Sequence, residues 1–152
     1  MFRGINTVSV DAKNRLALPS KIREILRDNQ INDLVMTLNP WDRNIWLYPL
    51  HEWIRIEEKL SSLNDLNTET RRTKQIMRGY ATDVSLDNNG RFVISTEMIK
   101  LSKILDDAVV LGQGNKIEIW DSQRWCQERD KWLEDVAGSG REGNSSLSDL
   151  SL

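Results

Sequence analysis

The sequence has very little of the chemistry on which catalytic, metal-binding and secreted proteins depend. Its 152 residues include one cysteine, Cys126, and one histidine, His51. This excludes a disulfide framework and a zinc site built from Cys and His. A Gly-rich phosphate loop and a Gly-x-Ser-x-Gly nucleophile motif are also missing. We therefore expect a protein that is not an enzyme and that uses no cofactor, metal or small-molecule substrate.

Long apolar runs are missing as well. No stretch approaches the roughly 18 consecutive apolar residues that a membrane-spanning helix requires, and residues 1–10 lack the pattern of a signal peptide. Hydrophobic residues make up 39% of the chain and charged residues 29%, a balance typical of globular proteins. We expect a cytoplasmic protein with no membrane partner, since a single cysteine suits a reducing compartment.

Charge is unevenly distributed along the chain, although the net charge is only -2. Residues 1–27 carry six Lys or Arg against two acids, and residues 69–78 carry four against one. Residues 118–135 are acidic, with six carboxylates against three cations. This layout favours a binding protein with one electropositive face.

The most informative feature is an internal repeat. A shift of 76 residues aligns Thr7–Leu18 with Asp83–Ile94, and Val, Ser, Asp and Arg coincide at matching positions. Further along, Ile45–Tyr48 matches Ile117–Trp120 at a shift of 72. Agreement in this order over much of the chain indicates two copies of one structural unit, with insertions in the loops.

Each copy predicts the same elements: a β-hairpin, a helix, two more short strands and a longer helix. The turn of the second hairpin contains Asn89-Gly90, which predicts a type I′ turn with positive φ at both residues. Asn14 takes the place of Gly90 in the first copy. The predicted organisation is a first unit at 1–65, a connecting basic helix at 66–77, a second unit at 78–136, and a disordered Gly- and Ser-rich tail at 137–152.

An acidic and a basic residue bracket each predicted turn. Asp11 and Arg15 flank the first, and Asp87 and Arg91 flank the second. Their positions alternate with the apolar ones, so we expect the pairs on the exposed face of each hairpin. One interpretation is a cross-strand ion pair that only fixes the turn register. The repetition of both charges in both copies favours a functional role.

The chain also resembles a known family. The tandem Asp-x-x-x-Arg pairs, the N-terminal Met1-Phe2-Arg3-Gly4, the segment Leu47-Tyr48-Pro49-Leu50-His51-Glu52-Trp53 and the ending Asp149–Leu152 look like the MraZ family of AbrB-like regulators. The resemblance implies an α+β fold of two tandem AbrB-like swapped-hairpin β-barrel units with short flanking helices, assembled into a homo-oligomeric ring. It further implies a cytoplasmic, nucleoid-associated transcription regulator, and we expect this regulator to act as a repressor. Such a regulator recognises short direct repeats upstream of the division and cell-wall gene cluster, including its own promoter.

This implied function directs attention to the basic first turn. Lys13 is the candidate phosphate anchor and Arg15 the candidate phosphate or guanine reader, with Asn14 and Arg3 as further DNA contacts. Asp11 would orient Arg15 through a bidentate pair, or would pair with Arg15 of a neighbouring subunit.

The second turn has Asn89 where Lys13 stands, so an equal role in DNA binding does not follow. Arg91, beside Asp87, is a candidate for orientation or for a pair with Asp11 across the ring. The alternative function is that of a protein-binding scaffold or antitoxin-type interaction module.

Overall fold

The computed structural model describes residues 1–141 and 143–152 as a mixed α+β protein with a mainly antiparallel sheet. The elements as far as the connection between the repeats are β1 (Ile5–Ser9), β2 (Arg15–Ala17), α1 (Ser20–Asp28), β3 (Leu34–Leu38), β4 (Ile45–Pro49), α2 (Leu50–Ser61) and α3 (Thr68–Gly79). Those that follow are β5 (Thr82–Val84), β6 (Arg91–Val93), α4 (Thr96–Ser102), β7 (Asp107–Gly112), β8 (Ile117–Asp121), α5 (Ser122–Ser139) and α6 (Ser145–Ser148).

Local sequence explains where several helices begin. The Ser95 side chain accepts a hydrogen bond from the Met98 amide (3.2 Å) and caps α4. Asn67 caps the basic helix α3 in the same way, through the Thr70 amide at 3.0 Å. A side-chain acceptor at this position satisfies an amide that has no partner within the helix. Pro19 precedes α1, where its fixed φ suits a helix start.

The two strands of each predicted hairpin meet at the turn but pair with strands of the other repeat. Val10 and Leu16 form a single bridge between the ends of β1 and β2. Beyond it, β1 pairs with β7, β3 with β5, and β2 with β6, all antiparallel. Beyond the turns, the strands of each predicted hairpin therefore take their hydrogen-bonding partners from the opposite repeat.

The strand order shows the symmetry of this exchange. The six-stranded sheet runs β1-β7-β8-β4-β3-β5, and β2 and β6 form a separate two-stranded ribbon. When each strand is replaced by its counterpart in the other repeat, the same order is read backwards. The sequence repeat is thus a structural repeat, with an approximate two-fold axis between β4 and β8.

The hydrophobic core fills the unit Met1–Ser122, one of two compact units into which the chain divides. Its largest cluster draws on both repeats and includes Leu16, Ile45, Phe92 and Ile119, each at most 4% exposed. A smaller cluster of Val35, Tyr48, Trp53, Leu60 and Met77 lies where α2 and α3 cover the sheet.

The smaller of the two compact units, Gln123–Leu152, consists mainly of helix. α5 continues to Ser139, beyond the boundary at residue 136 set from sequence, and α6 lies within the segment predicted to be disordered. Within α5 the rings of Trp125 and Trp132 pack edge to face, with centroids 5.6 Å apart. None of the described helices has the length and hydrophobicity needed to cross a bilayer.

Candidate nucleic-acid interface

Turn 1 (Asp11–Arg15) is held together by one carboxylate. Asp11 Oδ1 accepts hydrogen bonds from the backbone amides of Lys13 (2.9 Å) and Arg15 (2.8 Å), while Oδ2 accepts from Arg15 Nε at 2.7 Å. The Asn14 amide donates to the Asp11 carbonyl at 3.0 Å, and Asn14 has a φ of 59°. A β-turn followed by one left-handed residue is a common three-residue connection between antiparallel segments.

Turn 2 (Asp87–Arg91) repeats this arrangement. Asp87 Oδ1 accepts from the amides of Asn89 (2.8 Å) and Arg91 (2.9 Å), and Oδ2 accepts from Arg91 Nε at 2.9 Å. Gly90, with a φ of 72°, is the left-handed residue. The predicted type I′ turn is therefore wrong: one residue per turn has positive φ, because the carboxylate organises a longer loop than the Asn-Gly pair alone suggests.

These contacts lower the pKa of both carboxyl groups below the ordinary value of 3.8. For Asp11 the largest cause is the hydrogen bond from the Arg15 amide, and for Asp87 it is the bond from the Arg91 amide. Hydrogen bonds to the ionised carboxylate favour that form. Both turns thus hold a carboxylate that stays charged at neutral pH and fixes Arg Nε through one oxygen.

The two arginines lie on the same outward face of the β2–β6 ribbon, and each side chain is 32% exposed. Arg15 pairs with Val93, and Arg91 pairs with Ala17. Arg15 and Arg91 are therefore diagonal neighbours, with Cα atoms roughly 7–8 Å apart. Leu16 and Phe92 alternate with them and point into the core, at 0% and 4% exposure. We call the outward set Arg15, Ala17, Arg91 and Val93 the ribbon face.

A family model described as "MraZ protein, putative antitoxin-like" matches residues 1–76 and again 77–135. The chain belongs to the MraZ family. The family model thus matches the two repeats of this MraZ-family chain separately.

Curated relatives carry the same family name. A protein of Halorhodospira halophila is 38% identical over 152 residues, which is 100% of both chains. One of Thiobacillus denitrificans is 42% identical over 125 residues, covering 82% of this chain and 84% of the relative. One of Shewanella oneidensis is 36% identical over 152 residues and the full length of both. Each is named "Transcriptional regulator MraZ".

The structure brings most of the candidate MraZ site residues together, with one exception. Exposed Lys13 lies beside Arg15 and Asn14 in turn 1. Arg3 lies at the opposite end of β1, next to Gly112 at the end of β7. The five residues of β1 separate Arg3 from turn 1 by roughly 17 Å. Arg3 is thus not part of the ribbon face within one chain.

Each turn also contacts the opposite repeat of the MraZ chain. The Ile94 amide donates to the Asn14 carbonyl, and the Leu18 amide donates to the Gly90 carbonyl, both at 2.9 Å. Asn14 Nδ2 further donates to Thr96 Oγ1 at the start of α4 (3.4 Å). Turn 1 therefore lies at the beginning of α4, and turn 2 lies beside the segment that leads into α1.

Two features of the site could not be read from the sequence. Arg91 shares a face with Arg15 because β2 and β6 pair across the repeats, and hydrophobic periodicity does not reveal which strands pair. The side chain of Arg23 lies against Gly90, although the two residues are far apart in sequence. Among the described residues, no group of three or more His, Cys, Asp or Glu could hold a metal ion.

Proposed function

We propose that this protein is a transcription regulator that binds double-stranded DNA through the ribbon face and the two turns beside it. The observation that supports this most directly is the diagonal placement of Arg15 and Arg91, both partly exposed, on the outward face of one ribbon. The DNA major groove admits a two-stranded β-ribbon, and guanidinium groups bind phosphate oxygens and guanine edges. The name shared by the curated relatives agrees with this role.

The turns give the arginines a defined direction. Nε of each arginine is occupied by its own aspartate, which leaves the Nη groups to contact a base or a phosphate. Preorganised side chains lose less conformational entropy on binding. In turn 1, Lys13 adds a positive charge suited to a phosphate, and Asn14 adds an amide. Asp11 and Asp87 orient the arginines and do not contact DNA.

The ribbon face and turns of one chain offer few cations, so assembly is part of the proposal. A few phosphate contacts correspond to non-specific dissociation constants of about 10⁻⁴–10⁻⁶ M, and linked contacts raise affinity by about 10²–10⁴. We infer a ring of identical subunits, each built on the swapped-hairpin plan. The pairing of strands between the two repeats supports this plan. Arg3, distant from turn 1 within the chain, would reach DNA from such an assembly.

The proposed target is a set of short direct repeats upstream of the division and cell-wall gene cluster, including the protein's own promoter. The protein would act there as a repressor, in the cytoplasm and in association with the nucleoid. Repeated boxes suit a closed assembly, because each box can engage another subunit. Binding to several boxes should be cooperative and should weaken steeply with salt.

A gel-shift titration of the full chain on a multi-box promoter duplex tests the proposal. Arg15→Ala should abolish retardation, because a guanidinium contact to a base is worth about 1–3 kcal/mol per site. The matched control is Arg55→Ala, which removes an arginine that is 70% exposed on α2. Size-exclusion chromatography should show the same assembly for both variants.

Two results would contradict the proposal. If Arg15→Ala binds DNA as well as the unmodified protein, the ribbon face is not the DNA interface. If the variant dissociates into monomers, Arg15 stabilises the assembly and is not a DNA contact. Equal affinity for one box and for several would argue against a ring that engages repeated sites. If the unmodified protein retards no duplex, the protein-binding function becomes the better explanation.

A further inference from the structure

The two turns differ in the number of cationic residues within their own sequences. Turn 1 carries Lys13 beside Arg15, whereas the corresponding position in turn 2 is Asn89. By sequence alone, turn 2 has one positively charged residue fewer. Turn 2 nevertheless adjoins a cation from the first repeat, because the strand exchange places α1 next to it.

Arg23 of α1 lies directly over Gly90 of turn 2. A β-carbon added at Gly90 would overlap Arg23 Cδ and would lie 2.9 Å from Arg23 Nε. Gly90 therefore fits this position for two reasons, the positive φ and the space that the arginine occupies. The corresponding residue of turn 1, Asn14, carries a side chain, and the counterpart of Arg23 on α4 is the uncharged Ile99.

The backbone holds Arg23 in place. Its Nε donates to the Leu18 carbonyl at 3.1 Å, and the Leu18 amide donates to the Gly90 carbonyl at 2.9 Å. Among the residues that the structure describes, the Arg23 guanidinium donates to the Leu18 carbonyl through Nε. The Arg23 side chain is exposed. Its Nη groups are therefore able to bind an anion.

A cavity of about 470 Å³ lies beside this arginine. Its lining includes Arg23, Arg27, Asn88 and Gly90, together with Asp87. The Asp87 carboxylate is already paired with Arg91 at 2.9 Å. Asp87 thus pairs with Arg91 and not with Arg23, whereas Arg27 Nε lies 3.7 Å from Asp28 Oδ1. The guanidinium of Arg23 is therefore the group at this cavity that suits a phosphate oxygen.

From this arrangement we propose that Arg23 supplies turn 2 with the phosphate-binding cation that Lys13 supplies to turn 1. Each chain then has two matched contacts with the DNA backbone, Lys13 with Arg15 and Arg23 with Arg91. The inference rests on the proposed DNA-binding function and extends it to the second repeat. Arg23 is assigned a direct phosphate contact and no part in base recognition.

The test compares Arg23→Gln with Lys21→Gln, which removes an exposed cation two residues earlier on the same helix. The affinity of the full chain for its own promoter duplex is measured by fluorescence anisotropy over a range of salt concentrations. Loss of one phosphate contact lowers the slope of log affinity against log salt by about 0.9 for each engaged chain. Arg23→Gln should show this reduction, and Lys21→Gln should keep the original slope.

A compensating substitution separates charge from packing. Asn89→Lys places a cation in turn 2 at the position that matches Lys13. Added to Arg23→Gln, it should restore the slope of the unmodified protein. A slope that remains low in the double variant would show that Arg23 acts through the seating of α1, and would overturn the inference.

Arg15→Ala, measured in the same titration, tells the two proposals apart. If Arg15→Ala abolishes binding while Arg23→Gln and Lys21→Gln give the same slope, the inference about Arg23 is wrong and the proposed function stands. If Arg15→Ala also leaves binding unchanged, the proposed function itself is wrong, and the inference about Arg23 fails with it.

Discussion

Leu16 pairs with Phe92, its own counterpart in the second repeat, at the centre of the β2–β6 ribbon. Both side chains are buried, at 0% and 4% exposure. This pair lies where the approximate two-fold relation between the repeats crosses the ribbon. It anchors the ribbon face to the core, so the arginines on the outer side are carried by strands whose inner side chains are buried.

Leu16→Ala should therefore destabilise the protein strongly. Truncating a fully buried leucine costs about 2–5 kcal/mol, through lost burial and the cavity left behind. Val93→Ala, on the outer side of the same ribbon and 60% exposed, should cost less than about 1 kcal/mol. Urea unfolding followed by circular dichroism measures both. Similar losses for the two variants would contradict the assigned orientation of the ribbon.

Asp11→Asn should reduce the preference for specific DNA more than it reduces binding as such. The amide keeps an oxygen for the backbone donors but loses the charge that fixes Arg15 Nε at 2.7 Å. Removal of a negative charge also raises attraction to any duplex. The measurement is the ratio of affinities for the promoter duplex and for a scrambled duplex of equal length.

Asp130→Asn is the matched control for this prediction, because Asp130 is 66% exposed and lies 3.0 Å from Arg129 on α5. It removes the same charge from a helix outside the unit that contains both turns. The affinity ratio should fall for Asp11→Asn and should stay unchanged for the control. An equal ratio in both variants would mean that Asp11 does not orient Arg15.

Protonation of Asp11 and Asp87 should lower the stability of the protein only below about pH 4. The folded state lowers the pKa of Asp11 and Asp87 from the ordinary 3.8, so their contribution to stability is present above that value. It is lost as the pH falls through the lower, folded-state pKa. Thermal midpoints should be insensitive to these groups from pH 5 to pH 8.

The Asp11→Asn, Asp87→Asn double variant checks this behaviour. Because it has no carboxylate left to protonate in either turn, its thermal midpoint should fall less steeply below pH 4 than that of the unmodified protein. Parallel acid profiles for the two proteins would show that the turn carboxylates do not contribute to acid sensitivity.

Gly112→Ala should destabilise the fold by displacing the N-terminal segment. A β-carbon at Gly112 would overlap the backbone of Phe2 and Arg3, and would lie 2.6 Å from Arg3 Cα. Since the backbone cannot move aside as a flexible side chain can, we expect the free energy of unfolding to fall by about 1–3 kcal/mol. Gly79→Ala, with no atom within 4 Å of the added carbon, should be neutral or slightly stabilising. Chemical denaturation of both variants provides the comparison.

The elements and the repeat were predictable from the sequence, but the partners of the strands were not. Alternation of Val8, Val10, Leu16 and Leu18 with polar residues identifies strand segments and their buried face. It does not identify which segment lies alongside, because a strand satisfies its hydrogen bonds equally well with a near or a distant partner. The exchange of β1 to β7 and of β5 to β3 therefore appears only in three dimensions.

The candidate site shows the same division. The Asp-x-x-x-Arg spacing places Asp11 beside Arg15 and Asp87 beside Arg91 within each turn. The placement of Arg3 away from turn 1 and of Arg23 over Gly90 depends on contacts between segments distant along the chain. Asn89-Gly90 indicated a turn, but not that the glycine also makes room for an arginine of the other repeat.

The strand exchange within a single chain has a consequence for orientation on DNA. In a pair of identical subunits every substitution occurs on both sides, so such a pair fits a palindrome and has no direction. Here the halves are encoded separately, and Asn89 occupies the position in turn 2 that corresponds to Lys13 in turn 1. The proposed DNA-binding surface therefore has two unlike ends, and head-to-tail boxes would present the same end to every subunit.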